Sequence, residues 1–140
     1  MSNKIRGKID NKSKADISEE IEEILSVLRR IRIGVTDSEF EIQDLIDDLM
    51  TKHEISYEKE YRLAARNRID FFTDSGIGIE VKRGKPNKRQ VLKQLERYTS
   101  FDEMRAIILV VDRNVNIPDQ IKGKRCVLFG LNRLWGVALS

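Results

Sequence analysis

From Asp16 the apolar positions Ile17, Ile21, Ile24, Leu28 and Ile31 recur at intervals of four, three, four and three, the spacing of one stripe along an amphipathic helix. Glu19, Glu20, Glu22 and Glu23 lie early in this stretch and Arg29, Arg30 and Arg32 late, which complements the helix dipole at both ends, and Gly34 stops the helix. Two heptads fall short of a coiled coil. The stripe is therefore expected to pack on the domain's own core, with a homodimer contact through the helix 16–33 as the alternative. A second helix follows, with Thr36 or Ser38 as N-cap and Phe40, Ile42, Leu45, Ile46, Leu49 and Met50 on its apolar side.

After His53 the period changes. Ile55 to Leu63 alternates loosely, Arg68 to Thr73 carries Ile69, Phe71 and Phe72, and Gly76 to Lys82 alternates after a turn at Asp74, Ser75 and Gly76. Three consecutive strands of a meander are expected. Gly84, Lys85, Pro86 and Asn87 break the pattern, and helical spacing resumes from Lys88 to about Phe101 through Val91, Leu95 and Tyr98. Ala106 to Val111 is a continuous apolar run, the mark of a strand covered on both faces. Pro118 is expected to open a short helical turn, and Cys126 to Phe129 and Trp135 to Leu139 to supply the last strands. The fold class is α/β, a mixed β-sheet flanked by helices, with an N-terminal amphipathic helix.

Composition bounds the function. At 140 residues, with 40% hydrophobic and 35% charged positions, the chain reads as one domain over 15–140 behind a flexible basic tail at 1–14. No apolar run approaches the roughly 20 residues of a membrane span, and the tail has no apolar stretch of a signal peptide. Cys126 and His53 are each the single residue of their type, which excludes an internal disulfide and a Cys/His zinc site. A reducing, cytoplasmic setting without a membrane partner is expected. The net charge of +3 argues little by itself; clustering argues more.

The chemistry lies where polar residues interrupt apolar strands. Asp70 stands between Ile69 and Phe71, and Glu80 between Ile79 and Val81, with Lys82 two positions on and so on the same strand face. A hairpin turning at Asp74 to Gly76 brings Asp70 within reach of Glu80. Two converging carboxylates repel each other and call for a cation, partly Lys82, better Mg²⁺ or Mn²⁺ with its waters and phosphate oxygens. Such a metal would polarise a phosphodiester and lower the pKa of a water, while Lys82 orients that water or meets developing charge.

Arg-Ile-Asp70-Phe-Phe followed by Ile-Glu80-Val-Lys82 resembles the core of the PD-(D/E)XK nuclease superfamily, with Ile69 in the place of its proline. The resemblance extends to a helix-borne acid in Glu39-Phe-Glu41, with Glu39 favoured, and to Gln94-Leu-Glu-Arg-Tyr98, similar to the Gln-x-x-x-Tyr motif of RecB-like branches. It implies a restriction-endonuclease-like fold and a Mg²⁺- or Mn²⁺-dependent deoxyribonuclease, expected to be an endonuclease, in which Asp70, Glu80 and Glu39 serve the metal and form the catalytic set with Lys82 and Gln94. Holliday junction resolvases are among the small nucleases it brings into view, and these work as dimers.

Plainer roles compete for the same residues. Ile-Glu-Val-Lys can be an exposed cross-strand ion pair. Thr36 with Glu39 and Ser38 with Glu41 are both capping boxes; a Ser38 cap leaves Glu39 free. Tyr98 continues the stripe of Val91 and Leu95, so its ring suits the core, and Glu60 suits a solvated strand face better than a place beside Asp70. His53 suits a helix C-terminus, and Cys126 and Trp135 suit the core. Of the cations, Arg68, Arg83, Lys85, Lys88 and Arg89 are expected to contact nucleic-acid phosphates together with Tyr98, with Arg62 and Arg66 entering from the other strand, whereas Lys93 and Arg97 read as a solvated helix face. The competing functions are a catalytically inactive nucleic-acid-binding module of the same fold and a protein-interaction scaffold built on the isoleucine stripe.

Overall fold

The computed structural model describes residues 17–33 and 38–131; the tail 1–14, Gly34, Thr36 and the expected strand from Trp135 to Leu139 lie outside these. Helix α1 (17–28) lays its stripe onto a core that includes Ile21, Ile24 and Leu28, and Ile31 and Ile33 follow them into it. The stripe thus serves the protein's own core. A homodimer contact through the helix 16–33 is therefore not needed to cover it.

Helix α2 (Glu39–Lys52) starts at Ser38, whose hydroxyl accepts from the Glu41 amide while the Glu41 carboxylate accepts from the Ser38 amide, a complete capping box. Ile42, Ile46 and Met50 carry its buried side. Phe40, expected on that side, is 75% exposed: two positions before Ile42 is more than half a turn around the helix. His53 is the C-cap.

The strands β1 (Tyr57–Ala64), β2 (Asn67–Thr73) and β3 (Ile77–Lys82) form an antiparallel meander. Helix α3 (Lys88–Thr99) then crosses to β4 (Ala106–Val111), which runs parallel to β3, as a parallel pair requires. After β5 (Gln120–Ile121), β6 (Lys124–Gly130) adds parallel to β4, giving a mixed six-stranded sheet of order β1-β2-β3-β4-β6-β5. All six residues of β4 are buried, which explains its unbroken apolar run. One core fills the α1/α2 face with Phe71, Ile77, Ile79, Val81 and Ile108, and the other joins Val91, Leu95 and Tyr98 of α3 to Ile69, Phe72, Ile107 and Leu109. No helix among the described residues is long and apolar enough to cross a membrane.

The expected helical turn at Pro118 does not form. Residues 114–118 have no regular structure, and Val115 and Ile117, two apart, both pack on the second core as they would from an extended chain. Cys126 is buried in β6.

The two faces of β3 differ in depth. Gly78 points at the α3 side, where an added methyl would overlap Ile69 Cδ1 and lie 2.9 Å from Met104 Sδ. Gly78→Ala is therefore expected to destabilise the fold by about 1–3 kcal/mol, read from the urea unfolding midpoint.

Candidate active site

The register between β2 and β3 runs Phe72↔Gly78 and Phe71↔Ile79, and one step further Asp70 faces Glu80. There side chains take over from the backbone ladder. The Val81 amide donates to Asp70 Oδ2 at 2.8 Å, and the Asp70 amide donates to Glu80 Oε1 at 3.2 Å. Each carboxylate thus holds the other's strand.

A backbone irregularity sets this aim. Ile69 and Phe71, two apart, lie in opposite cores, so alternation along β2 reverses at Asp70. On β1 the same happens between Tyr57 and Tyr61, and Glu60, opposite Asp70 between the pairs Lys59↔Phe71 and Tyr61↔Ile69, has a left-handed backbone with φ 52°. The hairpin turns its faces over at the level of the site. Glu60 itself is exposed and meets Arg68 at 3.4 Å.

Glu80 is 6% exposed and lies on the α3 face. Its Oε2 accepts from Gln94 Nε2 at 3.2 Å and lies 3.4 Å from Lys82 Nζ. Burial first, and then the Asp70 charge, push its pKa up from 4.5 to about 7 against the pull of Lys82. Burial also raises Asp70, opposed by the Val81 amide and Lys82 and assisted by Glu60 and Glu39. Gln94 is itself placed by Tyr98, whose hydroxyl accepts from Gln94 at 3.1 Å and donates to the Arg68 carbonyl at 2.8 Å. Burial and the nearby carboxylates raise the tyrosine's pKa, so that donor stays protonated.

The remaining expected residues are distributed around this centre. Glu39, free of the capping box, reaches the end of β3, where its Oε2 accepts from the Arg83 amide at 3.1 Å. It is not gathered with the acidic pair: among the described residues no group of three or more His, Cys, Asp or Glu side chains is placed to hold a metal ion. Arg83 forms a largely buried ion pair with Asp112 at 3.3 Å, and Asp112 also accepts from the Gly84 amide at 2.8 Å. Its guanidinium therefore ties the loop after β3 to the end of β4, and the residue also lines a cleft with Lys82. Tyr98, 2% exposed with its hydroxyl engaged on both sides, orients Gln94 from the wall of a cleft that it shares with Arg62 and Arg66. Lys85 and Lys88 line a cleft with Arg113, while Arg89 is exposed outside it. Lys93 and Arg97, read as solvated, are exposed, and they also line an open cleft of about 390 Å³ with Lys82 and Gln94. The signal available for them was their spacing of four, which puts both on one flank of α3.

No family model, curated protein or solved structure matches this chain. Buried Glu80 and half-buried Asp70, both of raised proton affinity, are short of positive charge, and among the described residues Asp70 Oδ1 accepts no hydrogen bond. A hard divalent ion that needs only one or two carboxylates, completing its shell with water and phosphate oxygens, fits this pair.

The raised pKa fixes the sign of a pH effect. Glu80 favours the folded state fully below about pH 4.5 and loses that contribution as pH rises through about 7, on the order of 3 kcal/mol. Unfolding in a chelator at pH 5 and pH 8 is expected to show this loss in the wild type and a smaller one in Glu80→Gln; equal losses would remove Glu80 as its source.

Proposed function

We propose that the protein is a metal-dependent deoxyribonuclease of the PD-(D/E)XK type, with a restriction-endonuclease-like sheet and Mg²⁺ or Mn²⁺ as its cofactor. The observation that carries this reading is the reciprocal clamp of Asp70 and Glu80 across the end of the β2–β3 hairpin, with Lys82 Nζ 3.4 Å from Glu80. A bare surface ion pair needs none of this burial.

Asp70 and Glu80 would hold the cation, which when bound polarises the phosphodiester and makes water a better nucleophile. The chain supplies the rest. Lys82, with 30% of its side chain exposed, keeps its ammonium at the rim of the acidic pair, where it can orient water and meet charge growing on a phosphate oxygen. Gln94 fixes the rotamer of Glu80 through Oε2, and Tyr98 fixes Gln94. Glu39 and Asp112 hold the amides of Arg83 and Gly84, and so the loop immediately after Lys82.

Lys82→Ala should keep the fold and lower DNA cleavage by on the order of 10²–10³-fold with Mg²⁺ or Mn²⁺, measured on duplex, single-stranded and branched DNA. Asp70→Asn should abolish cleavage. Undiminished cleavage in either variant rejects the assignment, and DNA binding without cleavage by the wild type identifies the inactive module.

A further inference from the structure

The cations around the acidic pair occupy three clefts that share walls. One, of about 400 Å³, is lined by Arg62, Arg66 and Arg68 from the β1–β2 end of the sheet. The middle cleft holds Lys82 and Lys93, and shares Gln94 and Arg97 with the first. The third, of about 460 Å³, shares Pro86 with the middle one and presents Lys85, Lys88 and Arg113. Glu60 is the single carboxylate lining any of the three among the described residues, and it meets Arg68.

The topology explains the alignment. Strands β3 and β4 are parallel with Lys82 beside Val111, so the loops carrying Lys85 and Arg113 leave the same end of the sheet. Helix α3 starts at that end with Lys88 and runs back past the acidic pair, with Lys93 and Arg97 on its cleft side. Positive charge therefore continues on both sides of Lys82. A site that receives chain ends would be walled or acidic on one side, because a strand passing through it must be refused.

We infer that the three clefts form one track for the phosphate backbone of a single DNA strand that continues past the site in both directions. The substrate then needs no free end. The consequence for cutting rests on the nuclease reading; the binding path does not.

Binding is measured by fluorescence anisotropy with Asp70→Asn protein and a labelled single-stranded DNA, closed into a circle or left linear, over a range of salt. Circle and linear strand are expected to bind alike. The pair Arg62→Ala with Arg66→Ala, and separately the pair Lys88→Ala with Arg113→Ala, should each weaken binding about tenfold at low salt and reduce the log–log salt slope by about 0.7 for each phosphate that is no longer neutralised. Lys52→Ala, on the far end of α2, should leave the slope unchanged. Preference for the linear strand, or one pair without effect on affinity and slope, overturns the track. Wild-type protein with Mn²⁺ should open the circle. Cutting confined to linear DNA rejects passage through the site, whereas a circle bound through both outer clefts with no substrate cut rejects the nuclease reading and leaves the track in place.

Discussion

Where β2 and β3 cease to pair through their backbones, two carboxylates assume the hydrogen bonding, Asp70 taking the Val81 amide and Glu80 taking the Asp70 amide. Hydrogen bonds from backbone amides hold each side chain still, while burial and mutual repulsion make holding both charges costly. The site is thus rigid and short of positive charge together. Lys82 relieves part of the deficit from the same strand face, and the remainder is what the proposed divalent ion would neutralise.

The rest of the fold serves this pair. The core under α1 and α2 anchors the apolar sides of β2 and β3 through Phe71, Ile79 and Val81, so the opposite side of β3 is free to present Glu80 to α3. Parallel pairing of β3 with β4 obliges a crossover, and the crossover helix brings Gln94 and Tyr98 over the carboxylates. The same helix carries Lys93 and Arg97 along the cleft. One topological requirement thereby delivers both the hydrogen bonds behind Glu80 and a line of positive charge beside it.

Elements governed by periodicity were legible in the sequence: the stripe of Ile21, Ile24 and Leu28, the meander, and the apolar run of β4 all follow from which faces are covered. The Ser38–Glu41 capping box was legible as one of two choices, and its formation releases Glu39 toward Arg83. Other features depend on contacts between distant segments. The reversal of β2 at Asp70 is matched by a left-handed Glu60, a residue type that gives no local sign of such a backbone. Arg83 and Asp112 are far apart in the chain and meet because β3 and β4 end side by side. Arg97 and Lys93 are solvated as their helix spacing suggests, and the cleft that they line exists only because the loop after β3 stands opposite. Tyr98 was open between core and function; its ring fills the core while its hydroxyl reaches Gln94.

Calorimetric titration of Mn²⁺ into wild-type protein, Asp70→Asn and Glu80→Gln at pH 8 addresses the acidic pair itself, without reference to any substrate. A saturable site is expected in the wild type, and either substitution should remove it while the fold persists by circular dichroism. Absence of binding by the wild type, or binding that survives both substitutions, would contradict this.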